Sequence, residues 1–281
     1  MTAIGWVDNF VPLIAAEAGL WQFHATRSLL ALPLVVVLAR LSGARLRPHN
    51  PAAVALRTAA FAGSMVLYFG ALAFLPIAVV GAGLFTAPIF VQLLSALLFG
   101  VALGPWRIAA VAVGFAGVVA LLRPWEGGLS LMALMPVGAG FLYAVAGVLT
   151  RHLCAQESPF TLLAGFFLAM GLIGLGGLAL LPAGRGADFL TTGLVWPGPA
   201  FWLWTAVQAV VSVLAVGMIT RAYQIAEPSY VSVFEYWFLV AASGFAWLLW
   251  GQALDGLMLA GMTLIALAGL VIILRARSEG A

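Results

Sequence analysis

Lysine is absent: all 12 basic residues are arginine, set against 9 acidic ones. That excludes a P-loop nucleotide site, whose lysine contacts phosphate. It also excludes every cofactor held as a Schiff base on lysine. Cysteine is nearly absent. Cys154 alone precludes an internal disulfide, and within an apolar run it reads as a small packing residue. Charge is scarce, with 7% of residues charged, 64% hydrophobic and a mean hydropathy of +1.15. A soluble domain is about a quarter charged, so a water-soluble enzyme of this composition could not cover its surface. Disorder needs the opposite composition. No His-Glu-x-x-His and no serine nucleophile elbow occur. His24, His49 and His152 share no helix-face spacing and are expected at membrane boundaries, not on a metal, so no metal or other cofactor is expected. The net charge of +3 does not point to nucleic acid, because the arginines are scattered singly and serve better to orient helices. No cleavable signal peptide is evident; the first residues run straight into an apolar segment holding Asp8 and Asn9.

What is present is hydrophobic length. A spanning helix takes about 20 residues, and the chain reads as an all-α integral membrane protein with ten such helices. The expected spans are 2–16, 25–42, 53–74, 77–100, 105–122, 129–152, 159–181, 199–222, 228–250 and 256–274. Proline supports the starts, since its missing N–H costs nothing in the first helical turn. Pro51, Pro105, Pro159 and Pro228 each follow a plausible cap. With the N-terminus inside, nine arginines fall on inner connections and three (Arg27, Arg123, Arg185) on outer ones, as the positive-inside rule requires. Trp21, Trp125, Trp196, Trp202 and Trp250 fall near outer ends and Trp106 near an inner one. In this layout no arginine sits mid-membrane, which disfavours a strongly anionic solute.

Leu75–Arg123 is similar to Pro228–Arg275. Setting Gly100 on Gly251 pairs Leu103 with Leu254, Ala110 with Gly261 and Gly117 with Ala268. Five helices follow five helices, so residues 1–124 and 125–281 read as two inverted five-helix repeats. Such repeats let a carrier open alternately to each side around a site near the midplane.

Three segments resemble the drug/metabolite transporter superfamily, in its EamA-type ten-helix members. Gly5–Ala15 is similar to a family Trp-Gly-x-Asn-Phe segment and brings Trp6 and Asn9 into the site. The run LYFGALAFLPIAVVGAGLFTAPIFVQLLSALLFG, with Pro88-Ile89-Phe90, is similar to the first family repeat, and AYQIAEPSYVSVFEYWFLVAASGFAWLLWG to the second. The resemblance implies a cavity lined by helices 1, 3, 4, 6, 8 and 9, cytoplasmic termini, a bacterial-type inner membrane and an outward direction of transport. Gly100-Val101 and Gly251-Gln252 depart from the family's Gly-Glu, helix 1 is short, and Asp8 replaces a small residue.

A carboxylate in the bilayer costs roughly 2.5–3.5 kcal/mol and is functional by default. Glu235 and Asp8 are the two such residues, and either could hold a proton that couples transport. Around them stand Tyr68, Phe85, Pro88, Gln92 with Ser95, Tyr143, Gln208 with Ser212, Ser232 and Tyr236. Helical spacing puts several of these on common stripes, and a site needs mostly apolar walls with a few polar groups. Pro88 would free a carbonyl for the solute. The glycines of Gly171–Gly177 read as close helix packing. The favoured reading is a secondary transporter, an exporter of an amino acid, amine or amphipathic drug. An intramembrane enzyme using Asp8 or Glu235 as acid or base, or a non-transporting scaffold, are the alternatives.

Overall fold

The computed structural model describes residues 1–71, 75, 77–102, 104–127, 132 and 134–279. Among the described residues there is no strand. Eight helices are long and apolar enough to cross a membrane, and Thr2–Ala15 and Gly256–Ile272 are shorter apolar ones. Leu103, paired above with Leu254, and the expected first turn of helix 6 at 129–131 and 133 lie outside the described residues.

The first segment is two short helices, α1 (Thr2–Asp8) and α2 (Val11–Ala15), because Pro12 lacks the N–H that would carry one helix through. Next come α3 (Leu20–Leu41) and α4 (Pro51–Ala71). The fourth segment breaks into α5 (Ile77–Leu84) and α6 (Ala87–Phe99), with Pro88 in the first turn of α6. Then follow α7 (Pro105–Leu122), a 3-10 turn (Pro124–Gly127), α8 (Leu134–His152), α9 (Pro159–Leu180) and α10 (Pro199–Ile225). The ninth segment also breaks, into α11 (Pro228–Glu235) and α12 (Trp237–Trp250), before α13 (Gly256–Glu279). Both broken segments end on a left-handed glycine: Gly100 at φ 62, ψ 22 and Gly251 at φ 64, ψ 21. A residue with a Cβ is strained there.

Lipid offers no hydrophobic drive between helices, so close approach through small residues does the work. In α7 and α13 a Cβ on Gly117 would meet the Gly261 carbonyl oxygen at 2.7 Å, and one on Gly114 would meet the Ala268 Cβ at 3.4 Å. Rising numbers in one helix meet falling numbers in the other, so the two run antiparallel. The facing pair is Gly117 and Gly261, whereas the internal alignment equates Gly117 with Ala268. The pair α3 and α9 repeats the device: Gly171 meets Ser28, Gly174 meets the Trp21 carbonyl and Gly177 the Trp21 ring. Gly176 faces open space. One core cluster, with Val35, Phe61, Phe167 and Val213, joins α3, α4, α9 and α10; another, with Val118, Val233, Tyr236 and Ile265, joins α7, α11 and α13.

Two carboxylates tie connections to helix starts. Glu17, between α2 and α3, accepts the Phe201 N–H of the first turn of α10 at 2.7 Å. Glu157, between α8 and α9, accepts the N–H groups of Asn50 at 2.7 Å and His49 at 3.0 Å, at the start of α4. The two ties lie at opposite ends of α3. Leu20 N–H bonds the Phe189 carbonyl at the Glu17 end. At the other end the Thr161 hydroxyl bonds the Arg45 carbonyl.

Candidate functional site

A cavity of ≈ 210 Å³ opens where the broken segments meet α3, α4, α8 and α10. Seven of the twelve residues expected at a site line it: Asp8, Tyr68, Phe85, Pro88, Tyr143, Gln208 and Glu235. Glu235 ends α11 and is almost wholly buried. The Tyr143 hydroxyl donates to one carboxylate oxygen at 2.7 Å and the Tyr223 hydroxyl to the other at 3.1 Å. Tyr223 reaches it because its ring lies over Gly147, where a Cβ would come within 2.8 Å of the ring. Asp8 accepts from Gln208 Nε2 at 3.0 Å, and Ser212, one turn on, donates to Gln208 Oε1 at 3.4 Å.

Five expected residues sit elsewhere. Asn9 binds the carbonyls of Gly5 and Ala242, pinning α1 to α12. Trp6 packs edge-on against Phe10 and Trp204. Gln92 donates to the Ser229 carbonyl, and Ser232 is buried in α11. Tyr236 lies against Gly114 and in edge-tilted contact with Phe85. The carbonyl of Leu84, which Pro88 leaves without its helical donor, lies close to α8: a Cβ on Gly140 would fall 2.8 Å from it.

Two arginines correct the expected layout. Arg57 and Arg27, assigned above to membrane boundaries, are buried and line the cavity. Both helices start earlier than the apolar pattern indicates, at Pro51 and Leu20, so each arginine lies about two turns deep. Arg57 donates through Nε to Thr150 at 3.2 Å and through its terminal nitrogens to the Leu162 carbonyl at 3.4 Å and Thr220 at 3.3 Å. Its guanidinium stacks 4.9 Å from the Phe61 ring centre. Arg27 contacts His24 Nδ1 at 3.2 Å and stacks 5.0 Å from the Phe23 centre. His24 is not a surface residue: it is buried, packed edge-on against Phe69. Cys154 is a buried free thiol beside Ala53, Val54 and Leu162, and burial, the largest influence, pushes it up to about 11. Among the described residues no cluster of three His, Cys, Asp or Glu could hold a metal.

The walls between these polar groups are aromatic. Phe61 and Phe166 stack with centres 4.4 Å apart, Tyr143 meets Phe61 edge-on at 5.5 Å, and Tyr68, Phe69 and Phe238 complete the rim. Flat aromatic walls with a few fixed charges suit a small amphipathic solute. The volume lies below the about 300–1,000 Å³ of typical ligand pockets, so a larger solute needs the walls to part.

Comparison with known proteins points to membrane transporters. The chain is 30% identical over 267 residues to the riboflavin transporter of Rhizobium johnstonii, covering 95% of this chain and 83% of that one. It is 29% identical over 185 residues to the riboflavin transporter of Vibrio cholerae, covering 66% and 58%. It is 27% identical over 246 residues to the pseudopaline exporter of Pseudomonas aeruginosa, covering 86% and 82%. A crystal structure superposes with a TM-score of 0.83 at 21% identity over 100% of this chain and 96% of that one, which fixes the fold alone. No family model matches the chain. The relatives are transporters, so the enzyme and scaffold readings are set aside.

Proposed function

This chain belongs to the membrane-transporter family of the Rhizobium johnstonii riboflavin transporter, and on that premise we propose that it is a secondary transporter of a flat, amphipathic organic solute. Riboflavin is the first candidate. The observation that carries the reading is the aromatic cavity in which Asp8, Arg27, Arg57 and Glu235 share one void. A heterocycle can lie against Phe61 and Phe166 while its polar edge meets the fixed donors and acceptors.

The mechanism we propose is alternating access by two inverted five-helix halves, 1–124 and 125–281, of the EamA-type drug/metabolite transporter pattern. Three observations support it: the antiparallel pairing of α3 with α9 and of α7 with α13, the two broken segments with matching glycine ends, and the two carboxylate ties at opposite ends. The halves part about the cavity, first at one end and then at the other. In this reading the chain crosses an inner membrane ten times, with its termini and most of its arginines on the cytoplasmic side.

Glu235 is the proposed coupling group. In its ionised form it accepts two phenolic O–H bonds, from α8 and α10. Protonation removes an acceptor and loosens both helices from α11. A proton entering from one side thereby biases the helices, which lets a proton gradient drive export; without one the solute runs down its own gradient. Asp8, with Gln208 as its partner, is the second acid available for this role.

The test is purified protein in liposomes with labelled riboflavin. Saturable flux above protein-free vesicles is expected, and an imposed pH gradient should change it. Charge-assisted hydrogen bonds contribute about 1.5–3 kcal/mol each. Glu235→Gln should therefore slow pH-driven flux by roughly tenfold or more and flatten its pH dependence. An unchanged pH profile removes Glu235 from coupling, and flux no faster than in empty vesicles removes riboflavin.

A further inference from the structure

The chain has nine acidic residues, and among the described side chains Asp8 and Glu235 are the acids that reach the cavity. Each has its own setting. Glu235 is bonded by Tyr143 and Tyr223, and Asp8 is bonded by Gln208 and feels the charge of Arg27. Glu157, the acid nearest in sequence to Thr150 and Leu162, is turned away to His49 and Asn50. Among the described residues Arg57 has neutral partners only. Its bonds to Thr150, Thr220 and the Leu162 carbonyl are 3.2–3.4 Å long, beyond the usual charge-assisted range of about 2.7–2.9 Å. It is 4% exposed, and both threonines line the cavity with it. A buried cation without a counter-charge is the costly arrangement. A guanidinium is also the side chain whose fork fits a carboxylate in two parallel bonds.

We infer that Arg57 is the seat for a carboxylate on the transported solute. The inference rests on the transporter reading above and, within it, favours flat organic acids over riboflavin itself, which carries no carboxylate. The carboxylate takes the fork of Arg57 in place of the long bonds to Thr150 and Thr220. The Thr220 hydroxyl stays within reach to donate its O–H to it, while the Thr150 hydroxyl keeps donating to the Ala146 carbonyl at 2.7 Å. The ring lies along Phe61, which already stacks under the guanidinium. The geometry of α8 sets the length of the solute. Thr150 beside Arg57 and Tyr143 beside Glu235 stand seven residues apart on one helix face, about 10 Å along the axis. An acid at one end and a hydrogen-bond donor about 10 Å away, toward Glu235, is the shape that satisfies both poles.

The test uses the full chain in detergent and two pairs of probes, each an acid and its uncharged derivative. The first pair is 10-carboxymethylflavin and its methyl ester, with riboflavin alongside; the second is indole-3-propionate and its amide. Affinity is read by quenching of flavin fluorescence for the first pair and by isothermal titration calorimetry for the second. Each acid should bind at least tenfold more tightly than its neutral partner. Arg57→Gln should collapse that ratio to near one, and Arg57→Lys, which keeps charge but not the fork, should restore part of it. Melting curves of both variants show whether they fold, and Arg57→Lys decides the matter if Arg57→Gln does not. If the flavins fail to bind while the indole acid still outbinds its amide, the riboflavin reading falls and the carboxylate seat stands. If riboflavin binds but neither acid is preferred, the seat falls and the transporter reading stands. Equal loss of acid and neutral probe in Arg57→Gln, or no acid preference in either pair, overturns the inference.

Discussion

The two ends of the helix bundle are tied by the same device with different reserves. At one end Glu157 receives the N–H groups of His49 and Asn50, while Asn50 itself caps α4 by accepting the Ala53 N–H at 3.1 Å. At the other end Glu17 receives the Phe201 N–H, and the residue in the capping position of α10 is Gly198, which has no side chain to offer. A Cβ on Gly198 would stand 2.8 Å from the Glu17 carboxylate, so the glycine makes room for the acid that replaces a cap. An anion at a helix N-terminus is favourable in both places. Only α4 keeps a capping side chain once its carboxylate is gone. The comparison teaches that the count of bonds at an end is a poor guide to how firmly it holds. What counts is whether the donors released find another acceptor.

The largest expected effect breaks the weaker-backed tie. Phe201 is fully buried, so Glu17→Ala strands its N–H away from water. The loss should be about 2 kcal/mol, toward the upper end for a cap, read as the drop in thermal unfolding temperature in detergent. Glu157→Ala frees two N–H groups on exposed residues, which water can satisfy, and α4 retains Asn50. That loss should be about 1 kcal/mol. Adding Asn50→Ala should bring the second end level with the first. A Glu157 variant that melts below the Glu17 variant would contradict the ranking and return the weight to bond number.

The glycine ends of the two broken segments sharpen the contrast, because there the chain's two regions match. Gly100 and Gly251 share their dihedrals within a few degrees, and neither has an atom within 4 Å of where a Cβ would go. Alanine at either should therefore cost only backbone strain, about 1 kcal/mol, and the same amount at both. Equal melting shifts for Gly100→Ala and Gly251→Ala, beside unequal shifts for the two carboxylates, would locate the asymmetry in Asn50 against Gly198. Unequal glycine shifts would spread it over the halves at large.

Much of this frame was legible in the residues. Prolines after plausible caps marked four helix starts, and α7 runs from 105 to 122 as the apolar pattern gives it. The breaks in the first, fourth and ninth segments were not, because apolar residues on both sides of a break keep hydropathy high. The depth of Arg27 and Arg57 was misread for a related reason: polar Gln22, His24 and Asn50 make a helix start look like water-exposed chain. Gln22 is instead buried, bonded both ways to Val195. Helical spacing put Gln92, Ser232 and Tyr236 on shared stripes with true cavity residues. A stripe states which residues share a face, but not which neighbour that face meets. The ties of Glu17 and Glu157 span 184 and 107 residues of chain, and no local pattern encodes a cap supplied from so far away.

The smallest effect separates the two ties by acidity. Burial alone would push the Glu157 carboxyl up, but the N–H bonds of Asn50 and His49 outweigh it and hold the group below its ordinary 4.5. A carboxyl held down in the folded chain contributes stability that is fully present above the ordinary value. That contribution is lost as pH falls through the folded value. The gap in unfolding temperature between the native chain and Glu157→Gln should thus be widest near about pH 7 and close between about pH 4.5 and pH 3. Asp188 and Asp255 are also held below their ordinary range, chiefly by backbone N–H groups of Thr191 and Met258. Both are present in either protein, so they cancel in the gap. A gap that stays constant down to about pH 3 would mean that Glu157 acts here through packing and shape, and the first turn of α4 would then have Asn50 as its capping group.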